Sequence, residues 1–175
     1  DFNKTRHTDL VPVVGVHIEP FGAYSTRIKH IAELKDGATV SIPNDPVNTG
    51  RALVLLHEAG LIKLKDPSNT LATQRDIIDN PKHLKIRELE GALLARSVSQ
   101  VDLAFVFANY ALEAGIDTNR ALIVEKGKSL YIEFLVARPD NINDPGLQKL
   151  AKALNSDEVR QFILTRYKGQ IAPGF

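Results

Sequence analysis

The sequence offers few side chains capable of covalent chemistry, and none stands at the spacing such chemistry needs. Five histidines, His7, His17, His30, His57 and His83, lie far apart. His57-Glu58 opens like a zinc-protease helix but lacks the second histidine four residues on. Surface or packed imidazoles are the plainer reading. No serine has the two flanking glycines of a strained nucleophile elbow. Gly127-Lys128-Ser129 echoes the end of a phosphate-binding loop, yet the earlier glycine of that loop is replaced by Leu122. Glu88 and Glu90 fit a solvated strand face, and Asp157 and Glu158 the first turn of a helix, rather than acid–base pairs. With no cysteine, thiolate chemistry and disulfides are excluded as well. No catalytic residue, metal or cofactor is expected.

Two polar residues differ by their placement. Arg96 ends a short helical segment ahead of a long apolar strand, and Asn109 stands at the far end of that strand, where a helix begins. In open α/β sheets ligands collect outside the carboxyl ends of strands, and helix N-termini attract anions. Arginine can grip a carboxylate with two parallel hydrogen bonds, and asparagine both donates and accepts. The plainer alternatives are a surface salt bridge for Arg96 and a helix cap for Asn109.

The elements that must position these residues follow from periodicity and punctuation. Val11–Ile18, Ala38–Ile42, Leu84–Leu89, Val101–Phe107, Ala121–Glu125 and Tyr131–Ala137 read as strands, with a short extended piece over Leu61–Lys65. The nearly unbroken apolar run at Val101–Phe107 suits a strand covered on both faces. Asp45 caps a helix opened by Pro46 and ended by Gly60. Further helices are predicted over Thr73–Asn80, stopped by Pro81, over Gly91–Ser97, and from Asn109 to Gly115. The stripes Leu147-Leu150-Ala151-Leu154 and Val159-Phe162-Ile163-Tyr167, the second capped at Asn155 or Ser156, give two more. Lys126-Gly127-Lys128-Ser129 is a polar linker. Alternating strands and helices argue an α/β fold.

The 175 residues, 43% hydrophobic and 25% charged, can bury a core. A net charge of +1 from scattered ions gives no stripe for nucleic acid or anionic lipid. No apolar run approaches the roughly 20 residues that span a bilayer. A chain without methionine that starts Asp1-Phe2-Asn3-Lys4 suggests a processed or truncated front.

A series of phrases is far more specific: Val16-His17-Ile18-Glu19-Pro20, Ser41-Ile42-Pro43-Asn44-Asp45-Pro46, Gly50-Arg51-Ala52-Leu53, Ala59-Gly60-Leu61-Ile62 and Ala108-Asn109-Tyr110-Ala111-Leu112-Glu113-Ala114-Gly115. Together they closely resemble the methionine-binding lipoproteins of bacterial ABC transporters, the NlpA family, over the whole chain. The resemblance implies a two-lobed periplasmic-binding-protein-like fold of type II without its first strand–helix units. It also implies a small amino-acid ligand held between the lobes, an ABC transporter permease as partner, and a place at the bacterial cell envelope. Contact with the membrane would be only through an N-terminal lipid absent from this chain. Arg96 then corresponds to the arginine that holds the ligand carboxylate, with Ala95 in place of the usual preceding proline, and Asn109 to a ligand-binding asparagine. Glu133, in Tyr131-Ile132-Glu133, falls where the family has a ligand-facing asparagine. Asn48 and Tyr131 are further ligand-binding candidates.

Residues 1–24 and 131–175 are expected to form part of one lobe and residues 37–125 the other, with crossovers at 25–36 and 126–130. Bare apolar faces and sheet edges are expected, together with weak ligand binding and self-association of the 175 residues alone. A cytosolic amino-acid-sensing module of the same broad fold, and more remotely an enzyme, are the alternatives.

Overall fold

The computed structural model describes residues 2–125 and 131–175. In chain order the elements are α1 (Phe2–Arg6), β1 (Val11–Ile18), β2 (Phe21–Tyr24), β3 (Thr39–Pro43), α2 (Pro46–Glu58), β4 (Lys63–Leu64), β5 (Ile77–Asp79) and β6 (Lys85–Leu89). They continue as α3 (Gly91–Ser97), β7 (Leu103–Phe107), α4 (Ala108–Glu113), β8 (Ile123–Val124), β9 (Ile132–Ala137), α5 (Pro145–Leu154), α6 (Asp157–Tyr167) and β10 (Ala172–Pro173). The chain divides into two compact units: residues 1–20 with 127–175, and residues 21–126. We call them unit 1 and unit 2.

Unit 2 is built around a five-stranded sheet in the order β6-β3-β7-β2-β8. Strands β6, β3 and β7 run parallel, with Val40 beside Leu103, while β2 pairs antiparallel with both β7 and β8. Successive side chains of a strand point to opposite faces, and β7 supplies both cores. Leu103 and Phe105 join Val40, Ile42, Leu53 and Leu56 under α2, whereas Ala104 and Val106 join Tyr24, Leu94, Val98 and Ala111 under α3 and α4. All four of these β7 residues are fully buried. A buried pair of hydroxyls, Ser41 Oγ and Ser97 Oγ at 2.7 Å, joins β3 to α3, and Ser97 Oγ also donates to the Leu94 carbonyl.

Helix α2 begins as its punctuation requires: the Asp45 side chain accepts from the Asn48 amide at 3.0 Å, and Pro46 occupies the first turn, where no amide hydrogen is needed. It ends at Gly60, whose φ of +71° only glycine adopts readily. Gly50 is required for a different reason, since a Cβ there would run into the Thr70 carbonyl.

Three sequence expectations are corrected. The helix expected over Thr73–Asn80 is a single 3-10 turn, Gln74–Asp76, closed by a reciprocal Thr73–Asp76 capping box. It is followed by β5, because the β-branched Ile77-Ile78 pair extends the chain and Ile77 pairs with Leu64 of β4. Residues 21–24, expected in the first lobe, belong to unit 2, where β2 fills the sheet between β7 and β8. Residues 25–36, expected to be a crossover, pack into unit 2 as well: Leu34 is 2% exposed in its core, and Arg27 pairs with Asp102 at 2.8 Å. Asp102 also accepts from the Thr39 amide, and these two hydrogen bonds, that of Thr39 foremost, hold its carboxyl below the usual range.

Unit 1 contains an antiparallel sheet, β10-β1-β9, bulged twice along the β1–β9 ladder. Helices α5 and α6 are capped by Asp144 and Ser156, and Asn155 Nδ2 donates to the Gly15 carbonyl of β1 at 2.7 Å. Among the described residues its buried apolar side chains are few, Ala137, Ala151, Ile163 and Ile171, while Phe134, Val136 and Phe162 are about half exposed. The polar linker Lys126–Ser129 and the crossover at 126–130 lie outside the described residues. Among the described residues no helix is long and apolar enough to cross a membrane.

Gly50→Ala is expected to destabilise unit 2 by about 1–3 kcal/mol, the usual cost of overpacking, because the obstacle is backbone and not a flexible side chain. A lower urea midpoint with unchanged slope would report it.

Candidate ligand-binding site

Asn48, Arg96 and Asn109 belong to unit 2; Tyr131 and Glu133 belong to unit 1. In unit 2 the parallel strands β3, β6 and β7 each run directly into a helix, at Pro46, Gly91 and Ala108, so the three helix N-termini share the carboxyl edge of the sheet. Asn48 sits in the first turn of α2 and Asn109 in the first turn of α4. Arg96 is on the last turn of α3, set back from that edge by about 9 Å of helix rise. The two asparagines therefore stand at that edge directly and Arg96 approaches it only through its length, since helical side chains lean toward the N-terminus, here the carboxyl edge.

Neither plainer reading is met among the described residues. Arg96 is exposed and forms no ion pair among the described residues. Asn109 is not the cap of α4, which begins after Phe107 without a side-chain cap. Its Oδ1 accepts from the Tyr110 amide at 2.7 Å, and its Nδ2 hydrogens have no protein acceptor among the described residues. The two residues are held on one side of the sheet, because their neighbours Ala95 and Tyr110 pack against the same core cluster. Asn48 is more committed: its Nδ2 lies 3.1 and 3.0 Å from the two Asp45 carboxylate oxygens. Within unit 2 it serves first as a partner of the α2 cap.

In unit 1, Glu133 is exposed on β9 directly across the ladder from His17 of β1. The His17 Nε2 lies 3.2 Å from Glu19 Oε1. That hydrogen bond is the main cause that raises the imidazole above its ordinary value of 6.5, against the opposing effect of burial, with the Glu19 and Glu133 charges adding to the rise. Tyr131 is half-buried immediately before β9. Among the described residues no three or more His, Asp or Glu side chains converge as a metal-binding group. Surface concavities at Lys149–Asp157 and at Phe2, Leu10, Pro12 and Val136 of unit 1 are lined by none of the candidates.

Neither the His17–Glu19 pair nor the largely buried Arg51–Glu125 pair stands out from the individual residues. The signal for the first is the i, i+2 spacing at a strand end; the partners of the second are too far apart in sequence to be matched.

A family model described as NlpA lipoprotein matches residues 1–175. The chain belongs to this family. It is 43% identical over 173 residues to a Pasteurella multocida protein named "Probable D-methionine-binding lipoprotein MetQ", covering 98% of this chain and 63% of that protein. It is 40% identical to Lipoprotein 28 of Escherichia coli K12, over 99% of this chain and 65% of the relative. The chain thus spans somewhat less than two thirds of these relatives. Among solved structures, a nutrient-binding protein from Burkholderia cenocepacia bound to methionine superposes with a TM-score of 0.94 at 39% identity, covering 99% of this chain and 73% of that one. A methionine-binding protein, MetQ, superposes with a TM-score of 0.92 at 39% identity, over 99% and 72% of the respective chains. The family's two-lobed α/β substrate-binding fold is therefore the fold of this chain over the part they share.

Because the folded state raises the His17 pKa, protonated His17 contributes stability that is complete below the ordinary value near 6.5 and lost as pH rises through the folded value. Thermal midpoints are expected to fall across that window, and His17→Asn is expected to flatten the dependence. An imidazole titration followed by NMR measures the same shift directly.

Proposed function

We propose that this chain is the ligand-binding part of an extracytoplasmic, lipid-anchored substrate-binding protein that captures methionine or a related amino acid for an ABC importer. The observation that carries this reading is Arg96: an exposed guanidinium that, among the described residues, has no ion pair and stands beside a helix whose Asn109 amide hydrogens meet no acceptor. A guanidinium can take an α-carboxylate with two parallel hydrogen bonds, and the amide supplies a further donor. Glu133 would meet the ligand ammonium or a polar side chain, with Asn48 and Tyr131 as further contacts.

The methionine in the Burkholderia cenocepacia structure and the D-methionine-binding name of the Pasteurella multocida relative support the ligand class. The importer's permease follows as the partner that takes up the captured amino acid. The lipoprotein names of the relatives support a place at the cell envelope and favour uptake over an intracellular sensing module. Relatives are substrate-binding proteins rather than enzymes, and capture with release, without bond chemistry, fits the residues present.

Calorimetric titration of the intact gene product with D- and L-methionine, with mass spectrometry of the small molecules it releases, tests the proposal. Arg96→Ala is expected to weaken binding by about 2–5 kcal/mol, because a desolvated carboxylate loses its partner. Thermal unfolding should stay unchanged, Arg96 being exposed; undiminished affinity would remove Arg96 from the site. Glu133→Asn is expected to shift preference toward methionine, and identical ligand profiles for the two proteins would show that Glu133 faces elsewhere.

A further inference from the structure

The chain passes between its two compact units twice, at Pro20/Phe21 and at Lys126/Gly127. On unit 2 both exits meet one side chain. Arg51 of α2, 5% exposed, places its guanidinium carbon 4.9 Å from the centroid of the Phe21 ring. The same guanidinium donates from Nε to Glu125 Oε1 at 2.5 Å and from Nη2 to Glu125 Oε2 at 2.7 Å. Phe21 is the first residue of unit 2, and Glu125 is its last described residue. Phe21 also stacks on Phe107, at 4.7 Å between centroids, immediately before α4 and Asn109.

Only arginine can hold both exits in this way. Its planar fork matches a carboxylate bidentately while its flat face covers an aromatic ring, and an ammonium group does not do both. Stability alone is a weak reason for the arrangement, because an apolar pair of similar volume commonly serves a core as well as a buried ion pair does. Geometry is the better reason. Proteins of two bodies absorb relative motion at a few residues at the ends of elements, and such residues define a pivot only if they are fixed on one body. We propose that Arg51 is a positioning residue that anchors both crossings to unit 2. The anchoring itself is independent of the proposed ligand; its effect on binding rests on that reading.

The test is hydrogen–deuterium exchange on the intact gene product, comparing the wild type with Arg51→Lys and with the double variant Arg51→Met/Glu125→Leu, which removes both charges at similar volume. In each variant the amides of residues 22–23 and 122–124 are expected to exchange at least about ten-fold faster, while those of Val40 and Phe105 in the sheet centre keep wild-type protection. Methionine should dissociate faster by a similar factor. Wild-type exchange at the crossings in either variant would overturn the proposal. Loss of protection throughout unit 2 in both would overturn it too, since the pair would then be a general core element. A wild-type protein that binds no methionine would refute the proposed function and leave the exchange result standing.

Discussion

The need to hide β7 on both faces organises unit 2. Its backbone must pair on both edges, because a buried strand cannot leave amide and carbonyl groups without partners, and its alternating side chains must each find a cover. The parallel neighbour β3 and the antiparallel neighbour β2 meet the first demand. Helix α2 on one face and α3 with α4 on the other meet the second. Fully burying a side chain such as Phe105 or Leu103 gives about 1.5–3 kcal/mol, so the arrangement is driven mainly by the strand's own composition. The Ser41–Ser97 hydroxyl pair shows the accompanying constraint: where a polar group falls under α3, it is satisfied locally by another hydroxyl and by the Leu94 carbonyl.

The same constraint determines where recognition chemistry can stand. Parallel strands that each feed a covering helix bring their carboxyl ends, and the helix starts, to one edge. Asn48 and Asn109 occupy such starts, yet their side chains have different work. The amide of Asn48 is drawn into the α2 cap, whereas Asn109 accepts one backbone hydrogen bond and its Nδ2 donors meet no acceptor among the described residues. Identical side chains in the first turns of two helices thus differ in how far the protein itself engages them. That difference depends on Asp45 standing three residues before Asn48, with no such acid before Asn109.

Much of this was legible in the sequence wherever a local signal and the tertiary demand agreed. Asp45, Pro46 and Gly60 bracket α2 without reference to the rest of the chain, and Val101–Phe107 announces a strand covered twice. Strand β2 was not legible, because Phe21-Gly22-Ala23-Tyr24 is short and contains a glycine; its conformation is fixed by β7 and β8, which lie far along the chain. At Thr73 a real capping box looked like the start of a helix, but one turn later the paired Ile77 and Leu64 give the extended chain more than helix continuation would. Arg96 and Asn109 stood out by their places about the apolar strand and Glu133 only through the family's phrases, and only the structure shows Arg96 exposed, without an ion pair among the described residues, on the last turn of α3.

Glu133 is where the chain's chemistry departs most from what the resemblance implies. An asparagine offers both donors and an acceptor, whereas an ionised glutamate only accepts. The exchange therefore removes a donor as well as adding a negative charge. Across the ladder stands His17, whose protonated form is favoured first by its hydrogen bond with Glu19 and also by the Glu133 charge. If Glu133 faces the ligand, as proposed, its carboxylate favours an α-ammonium or a cationic side chain over a thioether. On the proposed reading, preference among amino acids depends on Glu133 of unit 1, and grip on the carboxylate on Arg96 and Asn109 of unit 2.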